Sequence, residues 1–158
     1  MSDHALLLER FRRGPEIIEA AILPVQGPEL DYKPAPDRWS VREIAAHMAD
    51  SEMVAGMRFR QVVAEDNPII RAYNQDAWAA RLGYQKRDPA VSLETFRRVR
   101  MDTFELLKGL SRESYARAGN HSEHGEITLL DLLQIYAEHA EGHVGQVAGV
   151  RAAYRDNK

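Results

Sequence analysis

Apolar residues recur at helical spacing in four long segments of the chain. In the first segment, residues 3–25, the apolar stripe includes Phe11 and Ile18. The Gly14–Pro15 pair interrupts this segment, because proline lacks a backbone donor and clashes with the preceding turn. We therefore expect a kink or two shorter helices there.

The second helix has the clearest start. Ser40 is a favourable N-cap residue, and Glu43 three positions later completes the capping-box pattern. The helix is predicted to continue to about Asp66, where the Asn67–Pro68 pair ends it.

Two further helices follow a long connection. Residues 67–89 show no sustained periodicity apart from a short helical piece at 75–81. The third helix is predicted at about 89–110. After a polar stretch, the last helix begins behind Thr128, with Asp131 at its third position, and continues to about residue 154.

No segment shows the two-residue alternation of a strand strongly enough to compete with these helices. At 158 residues the chain fits one domain. We therefore predict a single all-α domain, residues 1–158, built as a four-helix bundle with a long connection between helices two and three. Such bundles place metal and cofactor sites between facing helices.

The composition restricts the chemistry. A net charge of −3 provides no global positive field for nucleic acid or an anionic membrane. The chain has no cysteine, which excludes a thiolate nucleophile and leaves imidazole and carboxylate as metal ligands. No apolar run approaches the ~20 residues of a membrane span, and the first residues lack the pattern of a signal peptide. We expect a cytoplasmic protein.

Five arginines form local basic clusters on the second and third predicted helices. Each cluster lies among acidic residues, which favours a solvated helix face over a nucleic-acid surface. These residues are Arg58, Arg60, Arg97, Arg98 and Arg100.

The last helix carries His139 and His143 four positions apart. This spacing puts their Cβ atoms about 6 Å apart on one face, close enough to bind one metal. Leu132 and Val147 share that face, so the imidazoles are predicted to lie in the core, where they need polar partners. A zincin has Glu directly after the first histidine, where this chain has Ala140, so the segment is not a metalloprotease helix.

His47 lies on the apolar stripe of the second helix, beside Ile44 and Val54. A core histidine bonded to a backbone or hydroxyl group is the ordinary alternative. Because two helices direct imidazoles to the core, we predict that His47, His139 and His143 bind one divalent transition metal. Three neutral nitrogens leave coordination positions open, as in catalytic sites. Zinc or nickel is expected first, and iron, cobalt or manganese is also compatible.

Three segments resemble the DinB-like superfamily: residues 39–52, residues 73–79, and residues 124–129 together with 139–146. The resemblance covers nearly the whole chain. It implies an up-up-down-down four-helix bundle, often a homodimer, with a metal triad at His47, His139 and His143. Characterised relatives include thiol S-transferases that use bacillithiol or mycothiol, and many members have no known activity.

Two classes of function follow. The first is a metal-dependent thiol S-transferase or hydrolase that acts on a small molecule with metal-activated thiol or water. Because the chain lacks cysteine, a low-molecular-weight cosubstrate would supply the thiol. Asp50 would orient a ligand or accept a proton, and Tyr136 would donate to developing charge. The structural alternatives are a solvated Asp50 and a Tyr136 that fills the core.

The second class is a non-catalytic module that binds metal or a small molecule, or a stress-related dimer. Tyr73, Trp78 and Tyr84 either line a ligand pocket or cover the bundle end. His121 and His124 are expected at the surface rather than in a second metal site.

Three glycines lie within the last helix, where each costs roughly 1 kcal/mol relative to alanine. They predict the close approach of another backbone, preferably from this chain and alternatively from a dimer mate. The glycines are Gly142, Gly145 and Gly149.

Overall fold

The computed structural model describes residues 3–158 and is mostly helical. The helices are α1 (Asp3–Arg12), α2 (Gly14–Ile22), α3 (Pro28–Asp31), α4 (Val41–Ala64), α5 (Gln75–Arg81), α6 (Pro89–Lys108) and α7 (Leu129–Asp156). The strands are β1 (Ile69–Ile70), β2 (Ala118–His121) and β3 (Gly125–Thr128). Within this part of the chain, no helix is both long enough and apolar enough to cross a membrane.

Both predicted capping boxes are present. The Ser40 N–H donates to Glu43 Oε2 at 2.8 Å, and the Glu43 N–H donates to Ser40 Oγ at 3.3 Å. Thr128 and Asp131 make the same reciprocal pair at the start of α7. The predicted break at Gly14 and the short helix α5 are also confirmed. The sequence could predict these features because each depends on residues close together in the chain.

In the four-helix bundle, α1 and α2 together form the first helix, and α4, α6 and α7 are the other three. They pack around two hydrophobic clusters. Each bundle helix contributes to both clusters. Members of the first are Phe11, Val62, Leu107 and Leu132, and corresponding members of the second are Ile18, Ile44, Phe96 and Val147.

The order of these residues gives the direction of each helix. The α1–α2 pair and α7 run from the first cluster to the second, and α4 and α6 run from the second to the first. The bundle itself is confirmed, but its helices run up, down, down, up rather than up-up-down-down. The reason is the connection at residues 65–88. It returns the chain to the beginning of α4, where Arg42 donates to the Arg87 carbonyl, so α6 runs parallel to α4.

A three-stranded sheet corrects the prediction that no strands are present. β1 pairs in parallel with β2, and β2 pairs antiparallel with β3. The strands are two to four residues long, which is too short for a two-residue alternation to stand out. The sheet ties the connection after α4 to the hairpin before α7.

Arg100 is an exception to the expected solvated basic face. Its side chain is 0% exposed and pairs with Glu52, which is 1% exposed. The absence of a side chain at Gly14 makes room for it, because a Cβ there would lie 2.5 Å from Arg100 Nη1. Arg58 is half-buried, and the three other arginines of the predicted face are exposed.

The glycines of α7 are not packed against another part of this chain. A Cβ built at Gly142, Gly145 or Gly149 has no neighbour within 4 Å among the described residues. The preferred prediction of intramolecular packing is therefore wrong, and a homodimer stays a prediction.

Candidate metal centre

Three imidazoles from two helices converge between the hydrophobic clusters. His47 projects from α4, and His139 and His143 project from successive turns of α7. Nε2 of His139 lies 3.1 Å from Nε2 of His47 and 3.1 Å from Nε2 of His143. One nitrogen from each ring lies within 4.8 Å of the others.

This spacing fits a single transition-metal ion. With bonds of about 2.0–2.1 Å to zinc, tetrahedral nitrogen ligands lie about 3.3 Å apart. The observed separations of 3.1 Å are close to that value. The antiparallel packing of α4 and α7 brings His47 to the two histidines that share a face of α7.

Burial keeps the three imidazoles neutral, with their lone pairs available. Burial, with a smaller contribution from the neighbouring imidazoles, lowers the pKa of His47 to about 3 and the pKa of His139 to about 2. Burial also lowers the pKa of His143, although the hydrogen bond to Gln146 opposes this. A histidine side chain must be neutral to bind a metal ion, so these three imidazoles are in the required protonation state.

Gln146 orients one of these rings. Its Oε1 lies 2.7 Å from His143 Nδ1, so the Nδ1 proton is donated to the amide and the Nε2 lone pair faces the other histidines. Nδ1 of His47 and Nδ1 of His139 are buried and have no hydrogen-bond partner in the described residues. If His47 or His139 carries its proton at Nδ1, a buried N–H donor has no acceptor. If the proton is at Nε2, the N–H group points into the space where the three Nε2 atoms meet. A bound ion relieves the crowding there.

Asp50 is buried rather than solvated. Its Oδ1 accepts a hydrogen bond from Arg87 Nη1 at 2.6 Å, and its Oδ2 has no hydrogen-bond partner among the residues that the structure describes. Asp50 lies one turn from His47 on α4. This carboxylate therefore retains a free acceptor close to the histidine cluster.

Tyr136 is buried one turn before His139, and the centroids of the two rings are 6.1 Å apart. Arg58 Nη1 donates to its hydroxyl oxygen at 2.9 Å. Burial raises the pKa of Tyr136 to about 12, against the opposing effect of the Arg58 charge. The phenol keeps its proton at neutral pH and can donate a hydrogen bond.

Two arginines near the cluster were not anticipated as site residues. Arg58 was assigned to a solvated face, because its contacts with Tyr136 and the Arg71 carbonyl are invisible to helical periodicity. Arg87 lies in the connection before α6, where the pattern carries no signal for its ion pair with Asp50.

The connection both lines a cavity and covers the bundle end. Tyr73 and Trp78 line a cavity of about 520 Å³, with Asp50 and Arg58 on its α4 side. Tyr84 is instead fully buried, with its ring centroid 6.5 Å from that of Trp39. Tyr73 and Trp78 therefore line a cavity, as one alternative predicted, and Tyr84 covers the bundle end, as the other predicted.

His121 corrects a further expectation. It is buried rather than at the surface, and it stacks on the exposed ring of His124 with centroids 4.7 Å apart. In the described part of the chain, the group of potential metal ligands contains the three histidines of α4 and α7 and neither of these two.

Comparisons with known proteins agree with the fold, and the names of the relatives include metal dependence. A protein of Oceanobacillus iheyensis named "Putative metal-dependent hydrolase OB0782" is 27% identical over 136 residues, covering 86% of this chain and 78% of that protein. A Bacillus cereus protein named "Putative metal-dependent hydrolase" is 30% identical over 137 residues, covering 87% and 79%.

A solved structure of YfiT from Bacillus subtilis matches with a TM-score of 0.88 at 25% identity, over 95% of this chain and 87% of that one. It is described as "a probable metal-dependent hydrolase with an unusual four-helix bundle topology". A family model described as the DinB superfamily matches residues 10–147. Because this match covers most of the chain and agrees with the four-helix bundle, the chain belongs to the DinB superfamily.

Proposed function

We propose that the protein is a metal-dependent hydrolase of a small molecule, with His47, His139 and His143 as the metal ligands. The convergence of three neutral imidazoles carries this proposal, with Nε2 of His139 lying 3.1 Å from Nε2 of His47 and 3.1 Å from Nε2 of His143. A divalent ion held there would lower the pKa of a coordinated water toward neutrality. The relatives named as metal-dependent hydrolases support the same class.

The chain supplies two polar groups beside the ligands. The free Oδ2 of Asp50 is an acceptor for a proton from the nucleophile. The Tyr136 hydroxyl, oriented by Arg58, is a donor for charge that develops on the substrate. Arg87 pairs with the other Asp50 oxygen and keeps the carboxylate in place.

A low-molecular-weight thiol would compete with water for binding to the metal ion. A metal site also lowers the pKa of a thiol, and the chain has no cysteine of its own. Thiol S-transfer is therefore the second candidate reaction, and a non-catalytic binding module is the remaining alternative. Turnover assays with and without added thiol separate the three.

The first test is the metal content of untagged protein by plasma mass spectrometry. About one equivalent of metal is expected in the wild type, which follows from one three-nitrogen site. The variant His143→Ala should lose it. His124→Ala is the matched control, because His124 is exposed and lies outside the cluster. A metal-free wild type that cannot be loaded with zinc or nickel would contradict the proposal.

A second test addresses the ring that Gln146 orients. Gln146→Leu removes the acceptor for His143 Nδ1 and should weaken metal binding about 10–100-fold. Competition with a chromophoric chelator measures this change. Unchanged affinity would mean that Gln146 has no part in the site.

A further inference from the structure

The cavity beside Asp50 has the size of a small-molecule pocket. Its volume of about 520 Å³ lies within the range of roughly 300–1,000 Å³ that is typical of ligand sites. The walls come from α4 and from the segment around β1 and α5. Most of the wall is apolar and is formed by Met53, Val54, Met57, Ile69 and Trp78.

Two arginines that border this cavity have no carboxylate partner in the part of the chain that the structure describes. Among the described side chains, neither Arg58 nor Arg71 takes part in a salt bridge. Arg58 is half-buried, and within residues 3–158 its hydrogen bonds go to two uncharged oxygens, the Tyr136 hydroxyl and the Arg71 carbonyl. A cation partly removed from water without a counter-ion favours an anionic ligand.

Arg60, on another face of α4, differs from Arg58 because it has a carboxylate partner. It follows Arg58 by two positions on α4 and points toward α6, where it pairs with Asp102. Arg60 does not line the cavity. The two arginines therefore form a matched pair for experiment.

The three histidines do not line the cavity, and Asp50 is the wall residue nearest to His47 along α4. Asp50 lines it one turn after His47, and Arg58 lines it about 12 Å farther along the helix axis. Arg58 in turn holds the hydroxyl of Tyr136, one turn from His139. A ligand with its anion at Arg58 and an apolar body along the cavity directs its other end toward Asp50.

We propose that this cavity is the substrate pocket of the metal centre, and that it selects small molecules with a carboxylate or similar anion on an apolar body. Arg58 binds the anion, with Arg71 at the rim, and Met53, Met57 and Trp78 contact the apolar body. The role as substrate pocket rests on the proposed function. The anion selectivity does not, because it needs only the cavity and its arginines.

Calorimetric titration with hydrocinnamate and hydrocinnamamide tests the selectivity. The two probes share an aromatic body and differ in charge. Wild-type protein should bind the carboxylate about tenfold more tightly than the amide, as one charge-assisted contact predicts. Arg58→Gln should abolish this preference, and Arg60→Gln should retain it. A carboxylate that bound the metal would be indifferent to Arg58.

Arg58→Lys guards against a purely structural effect, because it keeps the charge and should keep most of the preference. Equal binding of both probes by the wild type overturns the inference, as does an unchanged preference in Arg58→Gln with the fold intact by circular dichroism. Anion binding through Arg58 in a protein that cannot hold metal supports the selectivity and contradicts the proposed function. Metal-dependent turnover without any preference for the anion contradicts only the inference.

Discussion

The loss of the buried ion pair between Glu52 and Arg100 should strongly destabilise the fold. Arg100 donates from Nε to Glu52 Oε1 at 2.7 Å and from Nη2 to Oε2 at 2.6 Å. Its Nη1 donates to the Phe11 carbonyl at 3.0 Å, and its guanidinium lies 4.0 Å from the centroid of the Phe11 ring. One side chain therefore joins α1, α4 and α6.

The substitution Glu52→Gln keeps the size of the side chain and removes its charge. The amide nitrogen would face a guanidinium N–H, and Arg100 would be left as a buried cation without a counter-ion. Removing one partner of such a pair costs about 3–5 kcal/mol. That loss is a large part of a typical unfolding free energy of about 5–15 kcal/mol. For a domain of this size it corresponds to a fall in Tm of about 6–20 °C.

Urea denaturation followed by circular dichroism measures the loss, and calorimetry gives the Tm. The control is Glu94→Gln on α6, which breaks exposed pairs with Arg97 and Arg98. Exposed pairs contribute about 0–1 kcal/mol. If Glu52→Gln were no more destabilising than this control, the reasoning that Arg100 depends on Glu52 for its charge compensation would be refuted.

Two further predictions concern α2, α7 and the histidines. Gly14→Ala should destabilise the protein by about 1–3 kcal/mol, because its Cβ would meet Arg100 Nη1 at 2.5 Å. Gly149→Ala, whose Cβ would have no neighbour within 4 Å among the described residues, should stabilise it by about 1 kcal/mol. Shifts of the same sign in urea denaturation would contradict this contrast. Chelator-treated protein should lose unfolding free energy as the pH falls from about 7 to 5. Burial lowers the pKa of His47 to about 3 and that of His139 to about 2, so the unfolded chain, with histidine pKa values near 6.5, binds more protons in this window. The loss is about 2 kcal/mol per histidine, and a histidine-to-glutamine variant should show a shallower dependence.

Local signals in the sequence were sufficient for the helices. The capping boxes at Ser40 and Thr128 and the break at Gly14 depend on residues within a few positions of each other. Their hydrogen bonds close within one turn, so the pattern of side chains predicts them without knowledge of the rest of the chain. Strands of two to four residues give no comparable signal, and the sheet was not predicted.

The histidine cluster was predictable for a related reason. Helical spacing puts His139 and His143 on one face, and the apolar stripe of α4 places His47 on its buried side. The distances between the two helices, and the hydrogen bond from His143 to Gln146, required the structure.

The sequence by itself determined the helices, the four-helix bundle and the three histidines at its core, because each depends on periodicity within one segment. Only the tertiary structure decided the direction of the helices and the position of the charged side chains. Arg100 meets Glu52 across 48 positions, and Arg58 meets Tyr136 across 78. Whether an arginine lies in solvent, in an ion pair or beside a cavity depends on which distant group the packing brings to it, and periodicity contains no information on that.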